Sequence, residues 1–342
     1  MNIKAAMREL PEVFRAVTAE RAEYEKTIRQ ARWAEGPVAI VASGVSLNAA
    51  RAGAEAIEFV LGWPATAREA DQFYNYSLPT LRPRSLLIAV SGNGEAEEVV
   101  GVASRAASQG ANVLAVTWNR ESSLAGSARA VLPLPSLKRD FPQLTDRLME
   151  HAALLEIAVA AAKIFNPRSP RLEGIEFESL PEHAVSMNLH LDDPIRSMAL
   201  QIKDCRRLVI TSGGFYHAPA LEAVALARQI TSQVVEAVPV EGAAGFLPAG
   251  VTAQDAFLFL SGSRCRAKKA VHTQAVRLAA CGAKVFAATD ANDHSLIEAS
   301  QFSVFMPEIP EITGSLLSLI LLQRLILEYS SNAPLIPIFG QT

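Results

Sequence analysis

The sequence is short of cysteine, of aromatic residues and of any charge excess. Its three cysteines, Cys205, Cys265 and Cys281, are odd in number and lack C-x-x-C spacing, which argues against a disulfide framework and against a zinc site. Aromatic residues are 6% of the 342, too few for the stacking platforms of single-strand nucleic-acid binders. Lys and Arg number 32 against 35 Asp and Glu, a net charge of -3, and no basic stripe stands out for a polyanion. The strongest apolar stretches, Ala152 to Ala162 and Leu316 to Leu327, are cut by Glu156 and by Gln323 and Arg324. Both fall short of the ~20 residues of a membrane span. Met1 to Gln30 is charged and helix-like, without the apolar core of a secretory signal. These absences predict a cytoplasmic protein with neither nucleic acid nor membrane as partner, and no metal.

What the chain does have is apolar residues, half of the total, and an internal repeat. Residues Gly110 to Thr117 match Gly282 to Thr289 at five of eight positions. Upstream, Ala89-Val90-Ser91-Gly92-Asn93 matches Phe259-Leu260-Ser261-Gly262-Ser263, and Ile40 to Gly44 matches Val209 to Gly213. The offsets are 172, 170 and 169, so order and spacing persist. A collinear repeat of this size points to two copies of one folding unit.

Each copy alternates short continuous apolar runs with Ala-rich amphipathic stretches. Val38 to Ala42, Leu86 to Val90 and Val113 to Val116 are runs of the kind buried on both faces of a parallel sheet. Helices are expected from about Asn48 to Leu61 and from about Glu95 to Ser108. Strand, helix, strand in this order predicts parallel strands with crossover helices. The fold class is therefore α/β, with two tandem αβα sandwich domains. The expected division is a helical arm at 1–34, a first domain at 35–165, a polar Pro-rich linker at 166–182, and a second domain with a closing helix at 183–342.

Ligands of open parallel sheets bind outside the carboxyl ends of the strands. Two small-residue loops fall there in the first copy, Ser43-Gly44-Val45-Ser46 and Ser91-Gly92-Asn93-Gly94-Glu95, each leading into a helix. Backbone N–H groups at helix starts favour an anion, and hydroxyls or amides add donors. The second copy carries Ser261 to Arg266 followed by Lys268 and Lys269, either a second anion site or a solvated basic helix start.

These loops resemble those of the sugar isomerase (SIS) double-domain family, and in particular the isomerase domain of glucosamine-6-phosphate synthase and related phosphosugar isomerases and deaminases. Gly44-Val45-Ser46 with Asn48-Ala49-Ala50 is similar to the family's G-T-S-x-N-A-A. Ser91 to Glu95 is similar to S-x-S-G-E-T, and Ala220-Leu221-Glu222 to its A-L-E. The resemblance implies SIS-type, flavodoxin-like domains, a sugar phosphate as the small-molecule ligand and no cofactor. The apolar closing helix around Leu316 to Leu327 and the long N-terminal helical arm offer more apolar face than one copy needs and suggest a homodimer or larger assembly. Gly44, Ser46, Ser91, Gly92, Asn93, Gly94 and Glu95 would hold the phosphate, with Asn93 replacing the second serine and Ala96 the threonine.

Departures lie on the catalytic side. The family's base glutamate corresponds to Gln229 and its lysine to Leu226. The histidine-bearing ring-opening loop reads Gly245 to Gly250 without histidine, and no P-R-x-L-x-K lysine occurs in Ala333 to Thr342. A neutral amide cannot act as a carboxylate base. Candidate substitutes are Glu222, His217, Glu241 and, beside it, Glu236. No N-terminal cysteine of a glutaminase opens the chain, so glutaminase activity is not expected. Two expectations follow: an aldose–ketose isomerase or deaminase of a hexose or amino-sugar phosphate, or a regulatory protein that binds the sugar phosphate without turning it over.

Overall fold

The computed structural model describes residues 3–330, except 32, 34–35, 138–139, 244 and 246–249. The chain forms two compact units, one of Glu12–Glu178 and one of Met1–Pro11 with Ser179–Thr342. They are called here the first and the second unit. Helix α1 (Ile3–Ala19) contributes to both, the division falling beside its internal Pro11.

The first unit continues through α2 (Arg21–Gln30), β1 (Val38–Ala42), α3 (Ser46–Leu61), β2 (Ala65–Glu69), α4 (Ala70–Gln72) and β3 (Leu86–Val90). It ends with α5 (Glu97–Ser108), β4 (Asn112–Thr117), α6 (Ser123–Ser127), β5 (Ala130–Pro133) and α7 (Pro142–Phe165). The strands are all parallel, in the order β2-β1-β3-β4-β5. The two central strands β3 and β4 are buried along their whole length, as their unbroken apolar runs predict. Helix α3 packs on α7 at close range, because a Cβ on Gly53 would stand 3.1 Å from the Leu154 Cβ. Helix α7 is apolar on nearly every side and is buried on nearly every side.

The second unit contains α8 (Leu180–His190), α9 (Asp192–Ile202), β6 (Arg207–Ser212), α10 (His217–Ile230), β7 (Val234–Pro239), α11 (Val240–Ala243) and β8 (Asp255–Leu260). Then come α12 (Lys268–Ala280), β9 (Lys284–Thr289), α13 (His294–Ala299), β10 (Phe302–Phe305) and α14 (Glu311–Ser330). Its sheet order, β10-β9-β8-β6-β7, reproduces that of the first unit strand for strand, and it too is parallel. The expected pair of α/β sandwiches is thus what the chain forms.

The register refines the repeat by one residue. Val41 lies opposite Ala89 in the first sheet and Thr211 opposite Phe259 in the second. With Ala89 matched to Phe259, Gly44 corresponds to Gly214 rather than to Gly213. Backbone angles agree, since Gly44 and Gly214 both turn through positive φ, at 61° and 54°.

The Pro-rich segment expected as a linker folds onto the first unit as far as Glu178. Its short turn Pro170–Leu172 sends Arg171 to the Phe59 carbonyl at 2.6 Å, over the Phe59 ring. Helix α14 is longer than its apolar stretch alone suggests and is the one described helix long and apolar enough to cross a membrane. That entire segment is buried within the protein, with α9 and α10 packed against it, so its apolarity is that of a core helix.

Candidate functional site

The loops after β1, β3 and β4 open into a cavity of about 360 Å³ at the carboxyl ends of the first unit's strands. The first loop turns at Gly44, and Ser46 starts α3 there. The Gly44 amide donates to the Glu69 carboxylate at 3.3 Å, which ties this loop to the end of β2. In the second loop the Gly94 amide returns to the Ser91 carbonyl at 3.0 Å. The Asn93 side-chain oxygen accepts the Glu95 amide at 3.0 Å and faces the Ser91 hydroxyl at 3.4 Å. Asn93 is thus an Asx turn, with its carbonyl oxygen engaged within the loop and its NH2 the group suited to an anion.

Two glycines of this loop have steric reasons. A Cβ on Gly92 would stand 2.3 Å from the Trp118 ring, which roofs the loop from the end of β4. A Cβ on Gly94, at φ 75°, would stand 2.1 Å from the Ser122 hydroxyl. The Thr117 hydroxyl donates to the Gly92 carbonyl at 2.7 Å, fixing the loop from below.

Of the expected phosphate residues, Ser46, Ser91, Gly92 and Asn93 line the cavity, and Gly44 and Gly94 shape the loops that carry them. Glu95 is engaged elsewhere. Its carboxylate accepts the Ser123 hydroxyl at 2.7 Å and the Ser123 amide at 3.1 Å, capping α6. Those two donors hold the Glu95 carboxyl below its ordinary pKa.

Sequence reasoning missed the other wall. Helix α7 presents Gln143, Asp146, Arg147 and Glu150 to the cavity. Arg147 is buried, and its Nε donates to the Gln143 carbonyl at 3.0 Å. The signal was available, because 143, 147 and 150 share one helical face in a helix that is mostly apolar. Motifs drawn from strand-end loops do not reach a helix that starts far downstream.

The catalytic candidates all belong to the second unit. Glu222 is buried on α10, two turns before the exposed Gln229, with the buried Leu226 between them. His217 opens the same helix, its Nδ1 3.4 Å from the Ser212 hydroxyl. Glu241 is exposed on α11, and Glu236 on β7 lies 3.9 Å from Arg207. The loop from Gly245 to Gly250 falls for the most part outside the described residues, and Ala333 to Thr342 lies wholly outside them. In the basic loop of the second copy, Arg264 faces Glu308 at 3.5 Å and Lys268 donates to the Ser263 carbonyl at 3.0 Å. Both cations are engaged with the protein itself. Among the described residues no group of His, Cys, Asp and Glu could hold a metal ion.

A duplicated parallel α/β fold carries paired Ser/Gly loops over one cavity, and the comparisons with known proteins bear on that arrangement. Residues 34–149 match the SIS domain, the family named by the resemblance read from the sequence. The chain is 32% identical over 126 residues to glutamine–fructose-6-phosphate aminotransferase (isomerizing) of Gloeobacter violaceus, a match covering 37% of this chain and 18% of that protein. The matched part is thus less than a fifth of that relative's length. Among solved structures, the C-terminal domain of glucosamine-fructose-6-phosphate aminotransferase from Francisella tularensis superposes with a TM-score of 0.79 at 17% identity, covering 95% of this chain and 94% of that one. Tagatose-6-phosphate ketose/aldose isomerase from Escherichia coli gives 0.73 at 16% identity, covering 95% and 91%. At these identities the structural likeness establishes the fold.

Proposed function

We propose that the chain binds a sugar phosphate, with the phosphate in the cavity of the first unit, and acts on it as an aldose–ketose isomerase or amino-sugar-phosphate deaminase. One observation carries this reading: Ser46, Ser91 and Asn93 surround a cavity whose far wall supplies the buried Arg147. Hydroxyl and amide donors with one guanidinium match a phosphate monoester. The relatives named above act on fructose 6-phosphate or tagatose 6-phosphate by their names, which agrees with that ligand class.

Isomerisation requires ring opening and proton transfer between C1 and C2, with a carboxylate as base. Gln229 cannot serve, but Asp146 and Glu150 line the same cavity as the proposed phosphate donors and join Glu222 and Glu241 as candidates. A second reading, a binder that senses the sugar phosphate without turnover, is favoured by Gln229 and Leu226 standing at the family's base and lysine positions. Incubation with hexose 6-phosphates in deuterated water separates the two. Proton exchange at C2 supports the enzyme, and thermal stabilisation without exchange supports the binder.

The homodimer is also a proposal. Helix α14, which suggested it, is covered within the protein, and the support now rests on Val185, Leu189 and Leu200, exposed by 42%, 74% and 49% on α8 and α9. A monomeric mass by light scattering at micromolar concentration refutes it.

A further inference from the structure

The second unit repeats the strand-end loops of the first, but one of its own carboxylates stands against them. Glu311 is the first residue of α14, the helix that corresponds in order to α7 of the first unit. Its carboxylate accepts the Arg266 amide at 3.2 Å, from the loop after β8. It also accepts the Phe215 amide, from the loop after β6. The Cys265 thiol donates to it at 3.7 Å. The approach to the first of these loops depends on glycine, because a Cβ on Gly214 would stand 2.4 Å from Glu311 Oε1. In the first unit the corresponding glycine, Gly44, has no atom within 4 Å of such a Cβ, and α7 begins with Pro142, which has no carboxylate.

Neighbouring groups close the rest of the cradle. Asp290, at the end of β9, accepts the Ser263 amide at 2.6 Å and the Asn292 amide at 2.9 Å. The Tyr216 hydroxyl fills the centre, 3.3 Å from where a Cβ on Gly262 would be and 2.9 Å from one on Gly314. Burial raises the Glu311 carboxyl above its ordinary pKa, and the Arg266 amide, the Cys265 thiol and the Phe215 amide oppose that rise. Burial and the Glu311 carboxylate push the Cys265 thiol up to about 12. Burial, with Cys265, Glu311, Asp290 and Asp293 adding to it, raises the Tyr216 hydroxyl well above its ordinary value.

Backbone amides converging from two strand-end loops make an anion-binding concavity. We propose that the second unit retains such a site and that its ligand is the chain's own Glu311 carboxylate, which denies the site to any external phosphate. Removing that side chain opens the site to a small oxyanion of the carboxylate or phosphate type. The proposal is independent of the sugar-phosphate reading of the first unit, which uses other residues.

The test is anion rescue of Glu311→Ala in the full chain, beside wild type and Glu311→Gln, with formate and inorganic phosphate as probes against chloride of equal ionic strength. The amides of Phe215 and Arg266, followed by NMR, are expected to move saturably with formate in Glu311→Ala. They should stay put in wild type, where the carboxylate is present, and in Glu311→Gln, where the side chain still fills the space. The melting midpoint of Glu311→Ala should rise by on the order of a few degrees once formate exceeds its dissociation constant about tenfold. Amides that do not respond in Glu311→Ala, or respond equally in wild type, overturn the proposal. If Glu311→Ala is insoluble in chloride, recovery of folded protein by formate or phosphate supports it, and failure of both anions to recover it counts against it.

Discussion

Removing the Ser91 hydroxyl should weaken a sugar phosphate without unfolding the loop that carries it. Ser91 is buried at the cavity wall, and its hydroxyl makes only a 3.4 Å contact within the protein. The loop keeps its form through main-chain bonds that Ser91→Ala leaves intact, from Gly94 to Ser91 at 3.0 Å and from Leu124 to Gly94 at 3.0 Å. Its Asx turn at Asn93 is likewise untouched. A hydrogen bond to a charged group contributes roughly 1.5–3 kcal/mol. At about 1.4 kcal/mol per tenfold, the dissociation constant should rise roughly ten- to a hundred-fold. Titration calorimetry with fructose 6-phosphate and glucosamine 6-phosphate reads the change, and circular dichroism checks the fold. Ser261 is the repeat counterpart and is fully buried in the second unit, so Ser261→Ala is the matched control and should leave affinity unchanged. An unaltered dissociation constant in folded Ser91→Ala, or an equal loss in Ser261→Ala, refutes the assignment of the phosphate to the first unit's cavity.

Arg147→Met should reduce affinity at least as much as Ser91→Ala and flatten its salt dependence, since it removes the guanidinium from the cavity; titrations at two ionic strengths check this. Gln229→Glu should raise C2 proton exchange on an open-chain sugar phosphate if that position carries the base, and no gain, with Glu150→Gln abolishing exchange in wild type, would move the base to α7. Gly94→Ala should destabilise the first unit by about 2–5 kcal/mol, from ~1–2 for the left-handed backbone and ~1–3 for overpacking against Ser122, and a loss under 1 kcal/mol in urea denaturation contradicts the geometry. Arg21 pairs with the fully buried Glu156 and with Glu178, so Arg21→Ala strands a buried carboxylate and should cost about 3–5 kcal/mol at neutral pH. Burial raises the Glu156 carboxyl, and the neighbouring Arg21 offsets this only in part. A folded pKa above the unfolded one gives stability that is full below the unfolded value and is lost as pH rises through the folded one. The deficit of Arg21→Ala should therefore shrink as pH falls through the raised carboxyl range of Glu156, as stability measured against pH will show.

Much of the architecture was legible in the residues themselves. A strand buried on both faces must be apolar without interruption, so Leu86 to Val90 and Ala256 to Leu260 announce themselves, and the repeat gives the second sheet from the first. The Ser/Gly loops were legible for a similar reason, since a strand-to-helix turn above a parallel sheet needs glycine and small donors at fixed offsets. Residue identity alone nonetheless pairs Gly44 with Gly213. Identity of residue type cannot distinguish two adjacent glycines, whereas strand register and the positive φ of Gly214 can.

What only the tertiary structure decided is which groups face the loops. Arg147 and Glu150 lie more than fifty residues beyond Ser91 and come to its cavity because α7 packs against α3, a choice made by apolar surfaces elsewhere on those helices. Glu95 reads in sequence as part of the anion loop, yet the free end of α6 captures it, because two unsatisfied donors at a helix start outcompete solvent for a nearby carboxylate. Glu311 gives no local hint of its partners, since Phe215 and Arg266 lie about a hundred and about forty-five residues upstream. Its setting exists only because folding brings two strand ends and one helix start to a single point, where main-chain amides meet an acceptor that the chain itself supplies.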